Sequence, residues 1–124
     1  MLAATSTNLA APTAPTNTAR TAGSNETALT ANTYYVLITS NNYWGETAYA
    51  AGNISSSVVV AAGQVLDVQI TPVPGAMSYN IYLSTSATGA TNFHRQATGV
   101  GGLRYTLQGT FLSTATTIPT VDSG

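Results

Sequence analysis

Cysteine is absent from the 124 residues, which excludes disulfides and thiolate metal sites. Lysine is absent too, so Arg20, Arg95 and Arg104 are the only fixed cations, against Glu26, Glu46, Asp67 and Asp122. Charged residues make up 6% of the chain, far below the roughly 25% usual in soluble domains. A formal net charge of -1 supplies no electrostatic footprint for nucleic acid or for an anionic membrane surface, so neither is expected as a partner. No stretch approaches the roughly 20 apolar residues needed to span a bilayer. Met1-Leu2-Ala3-Ala4 lacks the basic and long apolar regions of a signal peptide. A role outside a cell would therefore need a leader already lost, or exit inside a particle.

What is present is apolar bulk and neutral polarity. Apolar residues are 44% of the chain, ample for a core. A chain of this length makes one domain that buries about two-thirds of its unfolded surface. Solubility must come from Thr, Ser, Asn and Gln, a surface more typical of extracellular or virion-surface proteins than of cytosolic enzymes. Asn25-Glu26-Thr27 and Asn53-Ile54-Ser55 match the glycosylation acceptor pattern, but in so Asn- and Thr-rich a chain chance suffices.

The organising stretch runs from Ile70 to Thr85, ITPVPGAMSYNIYLST. Pro72 and Pro74 lack donors and cannot sit in a central ladder, while Gly75 tolerates positive φ. Leu66, Val68 and Ile70 alternate with Val65, Asp67 and Gln69 before the turn; Tyr79 and Ile81 alternate with Asn80 and Tyr82 after it. Period two on both sides predicts two half-buried strands pairing back across a Pro-Gly turn. TYYVLITS, from Thr33 to Ser40, reads as another strand, with Tyr34, Val36, Ile38 and Ser40 on one face. Asn41 to Gly45 is a turn of about five residues suited to a hairpin, after which Glu46 to Ala50 returns as a shorter strand. The Val58-Val59-Val60 run suits a strand covered on both faces. Asn92 to Ala97, carrying Phe93, reads as an edge strand, and Leu103 to Leu107 as a last one.

About seven short strands with regular turn signals predict an all-β antiparallel sandwich over residues 29–108, with a closed barrel as the alternative. Residues 1–28 are Ala, Thr, Asn, Ser and Pro in near-random succession and read as an extended N-terminal arm, lying on a neighbouring subunit in preference to a flexible tail. Residues 109–124 form a Thr-rich C-terminal tail without periodicity.

TYYVLITSNNYWGET is similar to the tyrosine-corner strand and following turn of fibronectin type III-like domains. VLDVQITPVPGAMSYNIYLST resembles that family's first hairpin. In the standard domain the Pro-Gly hairpin comes first; here the Tyr-Tyr strand does. That order resembles the fibronectin type III-like and immunoglobulin-like domains of tailed-bacteriophage virion proteins, including capsid proteins and their decorations. The resemblance covers roughly residues 30 to 85, more weakly to Tyr105. It implies a small virion protein assembled in the host cytoplasm, whose partner is the major capsid protein or another virion protein. Self-association through termini or edge strands, and no cofactor, go with that reading.

By resemblance Tyr34 is the corner tyrosine, its ring in the core and its hydroxyl on backbone. Tyr34, Gly45, Pro72, Pro74 and Gly75 are thus structural turn and corner residues. Trp44 is expected to pack against its turn, with stacking on a sugar or partner as the sharper alternative. Tyr43 is expected to be an exposed contact, since a small residue would serve the turn. Tyr43, Trp44 and Tyr49 together are the candidate partner contacts; an adhesin-like module stacking a surface glycan on them is the competing reading. His94 lacks an evident nucleophile and orienting carboxylate, so no catalytic or metal site is expected. A hydrolytic carboxylate pair, Glu46 and Asp67 for example, is not expected, since both sit on turn or outward strand positions with no other acid nearby.

Overall fold

The computed structural model describes residues 9–121. Among them are seven strands: β1 (Thr16–Thr21), β2 (Asn32–Asn41), β3 (Val58–Val60), β4 (Gln64–Gln69), β5 (Ser78–Ser84), β6 (His94–Val100) and β7 (Arg104–Leu107). Helix is limited to two single turns of 3-10 type, Ala51–Asn53 and Ala90–Asn92. Every strand pairing is antiparallel. The strands divide into a three-stranded sheet, β1-β4-β7, and a four-stranded sheet, β3-β2-β5-β6. The protein is a β-sandwich.

Side-chain alternation explains the layers. Tyr34, Val36 and Ile38 of β2 and Tyr79, Ile81 and Leu83 of β5 face inward, meeting Leu66 and Val68 of β4 and Leu107 of β7. The opposite faces of β2 and β5 are buried as well. Leu37 and Tyr82 pack with Phe93 and Ile118 beneath a cover that includes Tyr49 and Ile54. These two strands, paired over seven residues from Tyr35↔Ser84 to Asn41↔Ser78, are therefore central on both counts. The prediction of half-buried strands holds for β4 but not for β5, whose residues from Tyr79 to Ser84 are all buried.

Several expectations are corrected. β4 and β5 do not pair across Pro72-Val73-Pro74-Gly75; the connection carries the chain from one sheet to the other. With two prolines short of donors the segment cannot extend a ladder, and the Ile70 N–H instead donates to Leu103 O at 2.8 Å. Glu46 to Ala50 is not a strand. It makes one bridge, Asn41↔Glu46, then leaves to cover the outer face of the larger sheet. β3 is an edge strand with Val59 66% exposed, so only Val60 of the valine run is fully enclosed.

The two ends of the chain also join the sandwich. Thr16–Thr21, assigned from sequence to the arm, pairs with β4 from Thr16↔Gln69 to Thr21↔Gln64. In the C-terminal tail Ile118 is buried and Phe111 meets the Tyr34 ring edge-on at 5.4 Å. Periodicity could not reveal either, because β1 is mostly Thr and Asn and the tail binds through isolated side chains. Residues 1–8 of the expected arm and 122–124 of the tail, with Asp122, lie outside the described residues.

Candidate functional site

The two turns singled out in the sequence meet at one end of the sandwich. Asn41 O, at the end of β2, accepts the Met77 N–H at 2.8 Å. The 41–45 turn is held from within: Asn42 Oδ1 accepts the N–H groups of Trp44 at 2.9 Å and Gly45 at 3.1 Å. This closure is an Asx turn, which fixes the backbone locally without using a side chain beyond Asn42. Gly45 has φ 151°, a value that favours glycine. Tyr43 and Trp44 consequently project outward, 84% and 80% exposed, with ring centroids 6.3 Å apart and planes at 79°.

The inter-sheet corner supplies the other half. The Val73 N–H donates to the Tyr79 hydroxyl at 2.9 Å, and the Ala76 N–H to Val73 O at 3.1 Å. Gly75 takes φ 85°, where a side chain would be strained. Between turn and corner lies an open depression of about 520 Å³, lined chiefly by Leu9, Tyr43, Trp44, Pro74, Gly75 and Met77. Single exposed apolar residues are ordinary; here they form a contiguous exposed group that includes a tryptophan, a residue type enriched at interfaces.

Glu46 ties the aromatic turn to the sheet. Its carboxylate accepts from the Tyr82 hydroxyl at 2.5 Å and from the Thr39 hydroxyl. Burial, with this carboxylate second, pushes the Tyr82 hydroxyl well above the usual tyrosine range. Beside it, Asn80 Oδ1 accepts from Asn41, from the Thr98 hydroxyl and from the Gly99 N–H. The base under the turn is therefore a satisfied, buried polar network.

The remaining candidates fall elsewhere. Trp44 does not pack against its turn. Tyr49 is not part of the aromatic surface: its ring is 6.0 Å from Phe93, and its hydroxyl accepts the Gly89 N–H at 3.1 Å. The Tyr34 ring is buried and its hydroxyl donates to Thr30 O, four residues upstream, at 2.5 Å; burial raises its pKa. Pro72 is exposed on the corner, outside the depression. His94 Nδ1 lies 2.9 Å from Ala115 O, in contact with the tail.

Glu46 and Asp67 lie on the outward faces of different sheets. Asp67 belongs to an ion-pair group in which Arg20 Nε donates to it at 2.5 Å and both terminal nitrogens of Arg20 donate to Glu26 at 2.7 Å. The Arg20 guanidinium pulls the Glu26 carboxyl down to about 2, with help from the Gly23 N–H, and holds Asp67 below its usual range. No group of three or more His, Asp or Glu residues able to hold a metal is found among the described residues.

Leu9 and Met77 were not predicted as site residues. Leu9 sits in the irregular N-terminal stretch and reaches the corner only through the fold; Met77, an apolar residue directly after a Pro-Gly turn, was the signal available. Compared with family models, curated proteins and solved structures, the chain gives no match.

Proposed function

We propose that the protein is a non-enzymatic virion structural protein, a decoration or accessory protein that binds the surface of a tailed-phage head and stabilises or dresses it. The observation that carries this reading is the exposed apolar end, where Tyr43 and Trp44 project from a turn clamped by Asn42 and Glu46, with Met77 exposed beside them on the inter-sheet corner. A turn whose backbone is held in place before binding loses little further backbone freedom on docking. The tyrosine-corner bond of Tyr34 and the division of seven strands into sheets of four and three support the immunoglobulin-like part of the reading. The sparse charge supports a partner recognised by shape and apolar contact, such as the major capsid protein.

The surface glycan reading is less well supported by the same geometry. A sugar needs a flat ring with polar groups beside it for the hydroxyls. Here the rings stand at 79°, their neighbours are Leu9, Pro74 and Met77, and Asn42 Oδ1 is already engaged.

The test is binding of the purified protein to stripped phage heads, followed by sedimentation. Tyr43→Ala and Trp44→Ala should each weaken binding by about thirtyfold if they are hot spots of about 2 kcal/mol, with the thermal transition unchanged. Failure of the unaltered protein to bind heads, or binding indifferent to both variants, would overturn the proposal. Retention of the unaltered protein on a glycan array, lost in the same variants, would replace it with the adhesin reading.

A further inference from the structure

Among the described residues the sandwich has four sheet edges, and they are unequally protected. β6 is covered by the C-terminal segment: the Arg95 N–H donates to Thr116 O at 2.7 Å, and the Gln96 side chain bonds Leu112 N and O. β3 has three residues and β7 four. β1 has six and, among the described residues, pairs only with β4.

Its open side can be read from the ladder. The Ala22 N–H donates to Gly63 O at 3.0 Å, in register with β1 and β4. By antiparallel alternation, Thr16, Thr18 and Arg20 then turn their backbone groups toward β4. Asn17, Ala19 and Thr21 turn theirs outward, away from β4, the one strand paired with β1 among the described residues. The strand has none of the usual guards of an exposed edge: no lysine, no internal proline, no bulge. Its one charge, Arg20, is bound by Asp67 and Glu26.

We infer that β1 is a self-association edge, to which a second copy adds its own β1 antiparallel about a two-fold axis normal to the sheet. Ala19 then faces its symmetry mate and Asn17 faces the mate of Thr21, giving about six new ladder hydrogen bonds. A second copy is the occupant the strand itself fits. The outward residues are evenly spaced about Ala19, so one two-fold satisfies them all and leaves neither β1 open. Thr18 stands opposite the mate of Arg20, so no like charges meet. Edge pairing alone buries less than the roughly 1,200–2,000 Å² of a standard interface. The dimer is therefore weak in free solution and is reinforced where copies are held side by side. This inference is independent of what the aromatic end binds.

Analytical ultracentrifugation of the full chain over a wide concentration range tests it. The unaltered protein should show a reversible monomer–dimer equilibrium. Ala19→Pro removes an outward N–H without cutting a bond to β4 and should leave a monomer. Thr18→Lys, on the exposed face, sets a cation opposite the mate of Arg20 and should raise the dimer dissociation constant at least tenfold, less so in high salt. Trp44→Ala should leave the equilibrium unchanged. A protein monomeric at every concentration, a dimer surviving Thr18→Lys undiminished, or a dimer lost in Trp44→Ala would each overturn the inference.

Discussion

Ser40 Oγ and Asn17 Oδ1 are buried without a hydrogen-bond partner. Ser40 lies on the core-facing side of β2, where its N–H donates to the Thr47 hydroxyl oxygen at 3.0 Å but its own hydroxyl makes no hydrogen bond. A buried, unbonded hydroxyl carries a desolvation cost with no return. Ser40→Ala should therefore stabilise the fold by about 1 kcal/mol, read as a higher denaturant midpoint at constant slope. A lower midpoint would mean that the hydroxyl is bonded after all. Tyr34 is the contrasting case, since its hydroxyl ends on Thr30 O. Its role was legible through the resemblance of TYYVLITSNNYWGET to a tyrosine-corner strand, since alternation alone places the ring on a face but does not name the partner of the hydroxyl. Trp44 was misread for the opposite reason: the Asn42 Asx turn closes the loop without it, and nothing in the local pattern says so.

At the scale of elements, the C-terminal segment shows how a strand becomes central. β2 and β5 bury their second faces because residues 46–57 and 111–119 fold over Leu37, Tyr82 and Phe93. Ile118 closes that layer, its N–H donating to Phe93 O at 3.1 Å. Ile118→Ala should cost about 2–5 kcal/mol, the range for emptying a buried aliphatic site, measured by equilibrium urea unfolding. A cost below about 0.5 kcal/mol, the level of an ordinary surface change, would show the segment to be a loose cover. Alternation marks strands well, as for β2 and β4, but it does not choose partners. The Pro-Gly stretch reads as a hairpin in sequence and is an inter-sheet corner in the fold, since both sheets offer better partners than the strand beside it.

For the molecule as a whole, few charges mean that few groups set the pH dependence of stability. Asp67 and Glu26 are held below their ordinary values by Arg20, so folding favours their ionised forms. That contribution is present above the unfolded carboxylate values near pH 4 and is lost as pH falls toward about 2. Tyr34 and Tyr82 are raised, chiefly by burial, so folding favours their protonated forms. That contribution is present below about pH 10 and is lost as pH rises beyond it. Thermal unfolding should show a plateau with a falling acid limb and a falling alkaline limb. Glu26→Gln should flatten the acid limb, and Tyr82→Phe the alkaline one. Unchanged limbs in these variants would refute the assignment.

The sequence by itself determined the all-β character and the main strands, because a period of two and turn residues act within a few positions of one another. It also marked Tyr43 as an exposed residue, since a turn has no use for so large a side chain. Which strands pair, which faces are covered and which residues assemble at the apolar end were decided only by the tertiary structure. Leu9, Trp44 and Met77 come together there from three separate stretches of chain. Burial of apolar surface is non-directional, so the pairing of faces is settled by the fit of the whole chain and not by any stretch of it.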